Sequence, residues 1–113
     1  MSQILFAVPT LNSFKLLKNL YFSLRSQSSP NWKLLIIDGP SSLDHRNYIR
    51  SISAADNRVI LKEEDPSNVG IFQSMNIAFN YATNNDWIFF WGSDDWAFSN
   101  HLVFDLLNHI ERY

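Results

Sequence analysis

"WKLLIIDGPSS", residues 32 to 42, reads as a strand with no wet face followed by an abrupt turn. Trp32, Leu34, Leu35, Ile36 and Ile37 are apolar on both sides of a two-residue repeat, whereas a strand with one solvated face alternates. Runs of this kind belong to parallel sheets, which are covered by helices on both faces. Asp38-Gly39-Pro40-Ser41-Ser42 then gathers the residue types that turn a chain.

The same alternation recurs on either side. "ILFAV" (4–8) is another buried run, expected to close at Pro9 because proline cannot donate to a sheet ladder. Phe14, Leu17, Tyr21 and Leu24, flanked by Leu16 and Leu20, follow at helical spacing. Asn12 or Ser13 is expected to cap that helix, and "SQSSPN" (26–31) to break it. Past the central turn, a weaker helix from about Leu43 carries Tyr48, Ile49 and Ile52 on one face, and "RVILKE" (58–63) is the third strand. "EDPSNVG" (64–70) reads as a loop, and Ile71, Met75, Ala78, Phe79 and Ala82 trace the next helix. "WIFFW" (87–91) is the fourth strand. After "GSDD", Leu102, Val103, Leu106, Leu107 and Ile110 mark a last helix, capped by Ser99 or Asn100. Four strand–helix pairs predict an α/β protein, a three-layer α/β/α fold on a mostly parallel sheet with right-handed crossovers. No repeat or linker divides residues 1–113, so one domain is expected.

The 113 residues are 46% hydrophobic and 15% aromatic, enough for a core and too few for two good domains. A net charge of −2 argues against a nucleic-acid binder that needs a basic face. Without cysteine, disulfide scaffolds, thiolate metal sites and thiol catalysis are excluded. No basic segment leads into an apolar run, and no stretch approaches the roughly 20 apolar residues of a membrane span. The expectation is a cytoplasmic chain, with docking on the inner face of the membrane left open.

In open α/β sheets, ligands bind beyond the carboxyl ends of the strands. Those ends carry "PTLN" (9–12), "DGPSS" (38–42), "EEDPSNVG" (63–70) and "GSDD" (92–95), together with all three glycines of the chain. They also carry Asp38, Glu63, Glu64, Asp65, Asp94 and Asp95. Grouped carboxylates without a basic neighbour suit a hard cation, and Mg²⁺ or Mn²⁺ typically joins one or two carboxylates to substrate phosphates. Asp and Gly also simply end strands, the reading assigned to Asp44 and Glu63. For Asp94 and Asp95, chemistry alone leaves both readings open. There is no G-x-x-x-x-G-K-[ST] loop and no G-x-G-x-x-G after the first strand. A flavodoxin-like receiver needs acids where this chain has "PTLN". His45, His101 and His109 lack metal-ligand spacing and are expected at solvated helix positions, and the serines lack a G-x-S-x-G context. Trp87, Phe89, Phe90 and Trp91 are assigned to sheet packing, whereas Trp96 and Phe98 could wall a pocket.

With "PTLN", "IIDGPSS", "NVGIFQSMNIAF" and "FFWGSDDW" in this order and at these intervals, the chain resembles family 2 glycosyltransferases. These are inverting enzymes of GT-A fold that transfer a sugar from a nucleotide diphosphate donor. "NVGIFQSMNIAF" looks most like members that build bacterial surface polysaccharides. The resemblance implies that Pro9, Thr10 and Asn12 border the nucleotide and that Asp38 contacts its base. Asn68 and Gly70 would close over the nucleoside. Asp95 would hold a divalent metal, Mn²⁺ or Mg²⁺, on the diphosphate, with Asp94 reaching the ribose or the metal shell. Met75 and Asn76 match a supporting helix. The implied partners are a UDP-sugar donor and a saccharide or lipid-linked acceptor, with self-association left open. The chain departs from the pattern at Gly39, where many relatives have a second acid, and at Gly92 and Gln73, where aspartate is common. The resemblance covers the nucleotide-binding portion of such enzymes, so the acceptor half and the general base are expected outside these residues. The alternative is a domain of the same fold that binds a nucleotide or partner without transfer.

Overall fold

The computed structural model of the chain describes residues 2–65, 67 and 70–111, the side chain of Ile71 excepted. Strands and helices alternate strictly: β1 (Gln3–Thr10), α1 (Phe14–Arg25), β2 (Trp32–Asp38), α2 (Leu43–Ala55), β3 (Val59–Glu63), α3 (Ile71–Tyr81), β4 (Asp86–Phe90) and α4 (Leu102–Glu111). All strand pairs are parallel, in the order β3-β2-β1-β4. The central strands β1 and β2 hold the apolar runs that have no wet face.

Alternation along those strands divides the core in two. Ile4, Phe6, Val8, Leu34 and Ile36 pack against Leu17, Leu20 and Leu24 of α1, Ile49 of α2 and Val103 of α4. Leu5, Ala7, Leu35 and Ile37 face the other way, onto Ala78 of α3. Three helices therefore cover one face and a single helix covers the other. Each fully buried leucine or isoleucine contributes about 2 kcal/mol, so β1 and β2 anchor every other element.

Several local expectations are corrected. β1 does not close at Pro9 but runs to Thr10, with Pro9 opposite Ile37 in the ladder. Thr10 turns its carbonyl toward β2, where it accepts from Gly39 N–H, while the Ala7 carbonyl on the other side accepts from Trp91 N–H. Pro9 shares the side of Ala7, two residues beyond the last β1–β4 pair at Ala7 and Phe90, so its missing N–H breaks no pair of the ladder. Ser13 sits at the N-cap of α1 without a side-chain cap bond. The cap of α4 comes largely from the loop that follows α1. Gln27 Oε1 accepts from Val103 N–H at 3.0 Å and Gln27 Nε2 donates to the Ser99 carbonyl at 2.8 Å, while Ser99 Oγ accepts from His101 N–H.

The aromatic run of β4 is not all core. Phe89 and Trp91 lie against Phe6, at centroid distances of 6.2 and 4.4 Å. Trp87 and Phe90 are substantially exposed, and Phe90 meets the still more exposed Phe79 edge-on. β4 is an outer strand of the sheet; Phe90, in phase with Ala7, faces the side covered by α3, whereas Trp87, in phase with Ile4 and Phe89, faces the opposite side. α3 buries Ser74 and Ala78 rather than Phe79. Among the described residues, no helix is long and apolar enough to cross a membrane.

Candidate functional site

The parallel register aligns the strand ends. Thr10 lies opposite Asp38, and Asp38 opposite Glu63. Because Thr10 and Asp38 share the phase of Val8 and Ile36, both side chains project on the α1–α2 side of the sheet.

There they meet a residue that the sequence reading misplaced. His45, expected in solvent, is fully buried in the first turn of α2, and its Nε2 lies 3.1 Å from Asp38 Oδ1 and 3.2 Å from Thr10 Oγ1. Thr10 Oγ1 donates to the same Asp38 oxygen at 3.0 Å, and Ser41 Oγ donates to it at 2.7 Å. Asp38 is only 2% exposed, so it is a supported internal acid rather than an open rim carboxylate. One signal could have found His45: with Ile49 and Ile52 it falls at helical spacing, on the buried face of α2.

The other acids of the presumed rim are spent largely on the chain itself. Glu64 spans the start of α3, where its carboxylate accepts from Gly70 N–H at 3.2 Å and from the buried Ser74 hydroxyl at 2.6 Å. Gly70 adopts φ 138°, a backbone state open to glycine, which lets the chain enter α3 there. Asp65 binds the N–H and hydroxyl of Ser67, and these bonds hold its carboxyl below the usual value. Glu63 lies 3.9 Å from the Arg50 guanidinium, both in solvent. The absence of basic neighbours expected of the rim therefore fails at Glu63. Asn12, at φ 52°, ties two loops together: its N–H donates to Ser41 Oγ and its Oδ1 accepts from Ser42 N–H. Asn68 lies outside the described residues.

Asp94 and Asp95 remain exposed at the carboxyl end of β4. Asp95 Oδ2 accepts from Gly92 N–H at 2.7 Å, and Asp95 N–H closes the turn onto the Gly92 carbonyl. Gly92 leaves room for this arrangement. A Cβ on it would sit 2.8 Å from Asp94 Oδ1 and 3.5 Å from Asp95 Oδ2, so both carboxylates turn into the space that the missing side chain leaves. No described residue donates to Asp95 Oδ1 or to either oxygen of Asp94. Among the described residues, no group of three or more His, Cys, Asp or Glu side chains could hold a metal. Two convergent carboxylates with free oxygens nevertheless fit the partial donor set that Mg²⁺ or Mn²⁺ takes when phosphates complete its shell.

Two adjoining hollows run along this edge and share Pro9 and Ser74. One, of about 420 Å³, lies between Thr10–Leu11, Gly39–Pro40 and Glu64. The other, of about 320 Å³, lies between Met75 and Phe90–Gly92. Together they make a cleft of ligand size. Trp96 does wall a hollow, but on the outer face of α1 with Phe22 and Asn19, and Phe98 is 92% exposed beside it.

At the opposite end of the sheet, a polar hollow of about 690 Å³ surrounds Asp56. Asp56 Oδ1 accepts from Arg58 N–H and Nε, and Oδ2 accepts from Arg58 Nη2 and the Tyr21 hydroxyl, all at 3.0–3.1 Å. Burial pushes the Asp56 carboxyl up, but the bonds from Arg58 and Tyr21 outweigh it and hold the group below its ordinary value. Burial, with the bond to Asp56, pushes the Tyr21 hydroxyl up to about 12.

Residues 6–113 match the sequence pattern of glycosyl transferase family 2. No curated protein sequence matches the chain. Among solved structures it is similar to S. aureus TarS 1-349, with a TM-score of 0.82 and 22% identity over 99% of this chain and 33% of that one. TarS 1-349 in complex with UDP-GlcNAc aligns with the same TM-score and identity, over 99% of this chain and 32% of that one. The mannosyltransferase PcManGT from Pyrobaculum calidifontis, in complex with GDP-Man and Mn²⁺, aligns with a TM-score of 0.72 and 18% identity, over 87% of this chain and 29% of that one. The chain spans about a third of the length of these structures. At such identities the likeness is one of fold, and the fold is GT-A.

Proposed function

The chain belongs to glycosyl transferase family 2, and from that premise we propose that it forms the donor-binding domain of an inverting transferase. The enzyme would move a sugar from a UDP-sugar to an acceptor hydroxyl in bacterial surface polysaccharide synthesis. The observation that carries the reading is the convergence of Asp94 and Asp95 on Gly92 beside a cleft that continues to Thr10 and Gly39. Similar structures that bind UDP-GlcNAc and, with Mn²⁺, GDP-Man support it.

On this reading the base enters the hollow between Thr10–Leu11 and Gly39–Pro40, above Asp38, and the diphosphate lies toward Gly92. Pro9, which borders both hollows, floors the nucleotide. Gly70 borders the hollow on the loop side, and the resemblance assigns Asn68 the same role. Asp95 would hold Mn²⁺ or Mg²⁺ through its free Oδ1, and Asp94 would complete the metal shell or reach the ribose. Bound there, the cation offsets charge on the departing nucleotide diphosphate. The turn bond from Gly92 fixes the Asp95 side chain before ligand arrives, which lowers the ordering cost of binding. The general base, the acceptor site and any homo-oligomer contact are assigned to regions beyond the site described.

Calorimetric titration with UDP and UDP-sugars, with and without Mn²⁺, tests the proposal. UDP should bind more tightly with Mn²⁺, and Asp95→Ala should weaken that binding about a hundredfold, the upper range for disturbed metal sites. Equal binding with and without metal, or an unaffected Asp95→Ala, overturns it.

A further inference from the structure

We propose that Ser23, in the last turn of α1, is a positioning residue for the acidic turn after β4. Through the N–H of Ala97 it fixes the far end of the segment that carries Asp94 and Asp95. That raises the affinity of the two carboxylates for a divalent cation on a nucleotide diphosphate. This role deepens the donor-binding reading and rests on it.

Residues 92–101 belong to no strand or helix, and of residues 92–102 only Ala97 is buried. The segment is fastened at two points. On the near side, Trp91 N–H donates to the Ala7 carbonyl of β1. On the far side, Ala97 N–H donates to Ser23 Oγ at 3.0 Å. Residues 92–96 lie between these points, and both acids are among them. The turn closes on itself through the bonds between Gly92 and Asp95. Held at Trp91 alone, such a closed turn can pivot there as a unit. Held at Ala97 as well, it keeps one orientation at the hollow that Gly92 lines. A turn ordered before ligand arrives lowers the ordering cost of binding.

Ser23 is suited to this contact. Its hydroxyl proton goes to the Leu20 carbonyl at 2.7 Å, one turn back in α1, so Oγ meets Ala97 purely as an acceptor. Serine is a poorer helix former than alanine, and the bond to Ala97 offsets that weakness. The other ties between these regions lie farther from the acids. Gln27 holds the Ser99 carbonyl and Val103 N–H. Ser28 N–H donates to the Asn100 carbonyl at 2.7 Å, and its hydroxyl lies 2.8 Å from His101 Nδ1. Those bonds secure the start of α4. Among the described residues, the Ser23 bond is the one tie to α1, or to the loop after it, within two residues of Asp95.

Calorimetry on the 113-residue chain, titrating UDP with and without Mn²⁺, tests this beside urea unfolding. Ser23→Ala loses one bond and gains helix propensity, so its urea midpoint should stay close to that of the wild type. Its Mn²⁺-dependent gain in UDP affinity should fall about tenfold, the lower range for groups that orient metal ligands, while metal-free binding holds. Ser23→Thr keeps a hydroxyl that can bond the same carbonyl and should restore most of the gain. Gln27→Leu strips bonds from the start of α4, so it should lose more stability than Ser23→Ala but less of the Mn²⁺ gain. A merely structural tie would order both losses alike, with Gln27→Leu the worse in each. Ser23→Ala decides the matter if Gln27→Leu does not fold. An undiminished gain in Ser23→Ala, a Ser23→Thr no better than Ser23→Ala, or a larger loss of gain in Gln27→Leu overturns the proposal and leaves the donor-binding reading intact. A wild type whose UDP affinity ignores Mn²⁺ overturns both.

Discussion

Asp38 and Asp56 stand at opposite ends of the same sheet, and their surroundings differ in a way that separates binding from folding. Asp56 has both oxygens occupied, by three N–H groups of Arg58 and the Tyr21 hydroxyl, and its charge is balanced by the guanidinium. Asp38 has one oxygen crowded by Thr10, Ser41 and His45, and no Lys or Arg among the described residues pairs with it. A carboxylate whose acceptor positions are all filled by its own chain can contribute only to the fold. One that is filled on one side keeps an unused acceptor position, and Asp38 does so at the carboxyl end of β2. Arg58 reinforces the contrast, because it also lies 4.0 Å over the Trp32 ring and locks the far end into the core.

Removing Asp56 should have the largest effect and should act on folding alone. Asp56→Ala leaves a partly buried guanidinium and a phenol without their acceptor, and urea unfolding should register a loss of about 2 kcal/mol, discounted for the partial exposure of Arg58. UDP affinity of the folded variant should not change. The acid limb should also flatten. The Asp56 carboxyl is held below 3.8, its ordinary value, so its contribution is present above that pH and is lost as pH falls through the lowered value. A variant that lost nucleotide affinity in proportion to stability would break the comparison.

Asp38→Asn should reverse the emphasis. The amide keeps the shape but cannot offer two equivalent acceptors, so UDP affinity should fall about tenfold, or about 1.4 kcal/mol. Unfolding free energy should fall by about 1 kcal/mol as one donor of the cluster loses its partner. Parallel titration and urea curves compare the two costs, and a stability loss larger than the affinity loss would make Asp38 another Asp56.

The sequence made one end of this comparison more legible than the other. β2 was readable to the residue, because a strand buried on both faces carries its signal in its own composition. The gathering of "PTLN", "DGPSS" and "GSDD" followed from strand–helix alternation, since parallel strands must all end on one edge. Strand order was not readable, and so neither was the exposure of Trp87 and Phe90, which follows from β4 lying outermost. The Pro9 misreading has the same origin: whether a proline ends a strand depends on whether a neighbour still needs its N–H. His45 was hidden because its partners come from two other elements, 35 and 7 positions away in sequence. Glu64 and Asp65 looked like Asp94 and Asp95 on paper. They differ because an α3 start and a Ser67 turn lie within their reach.

Tyr21→Phe is the smallest perturbation and probes the far cluster most cleanly. It removes one of four bonds to Asp56 and leaves the guanidinium in place, so the loss at neutral pH should be about 1 kcal/mol. The folded Tyr21 hydroxyl titrates near 12, against 10.0 ordinarily, so the folded state holds that proton more tightly than the unfolded chain does. The stability linked to it is therefore fully present below pH 10 and is lost as pH rises toward 12. Phenylalanine has no such limb. The gap between wild type and variant, read from urea midpoints, should be constant up to about pH 10 and should shrink above it. A gap that stays constant through that window would mean that ring packing, not the bond to Asp56, sets the value of Tyr21. The far cluster would then rest on Arg58 alone.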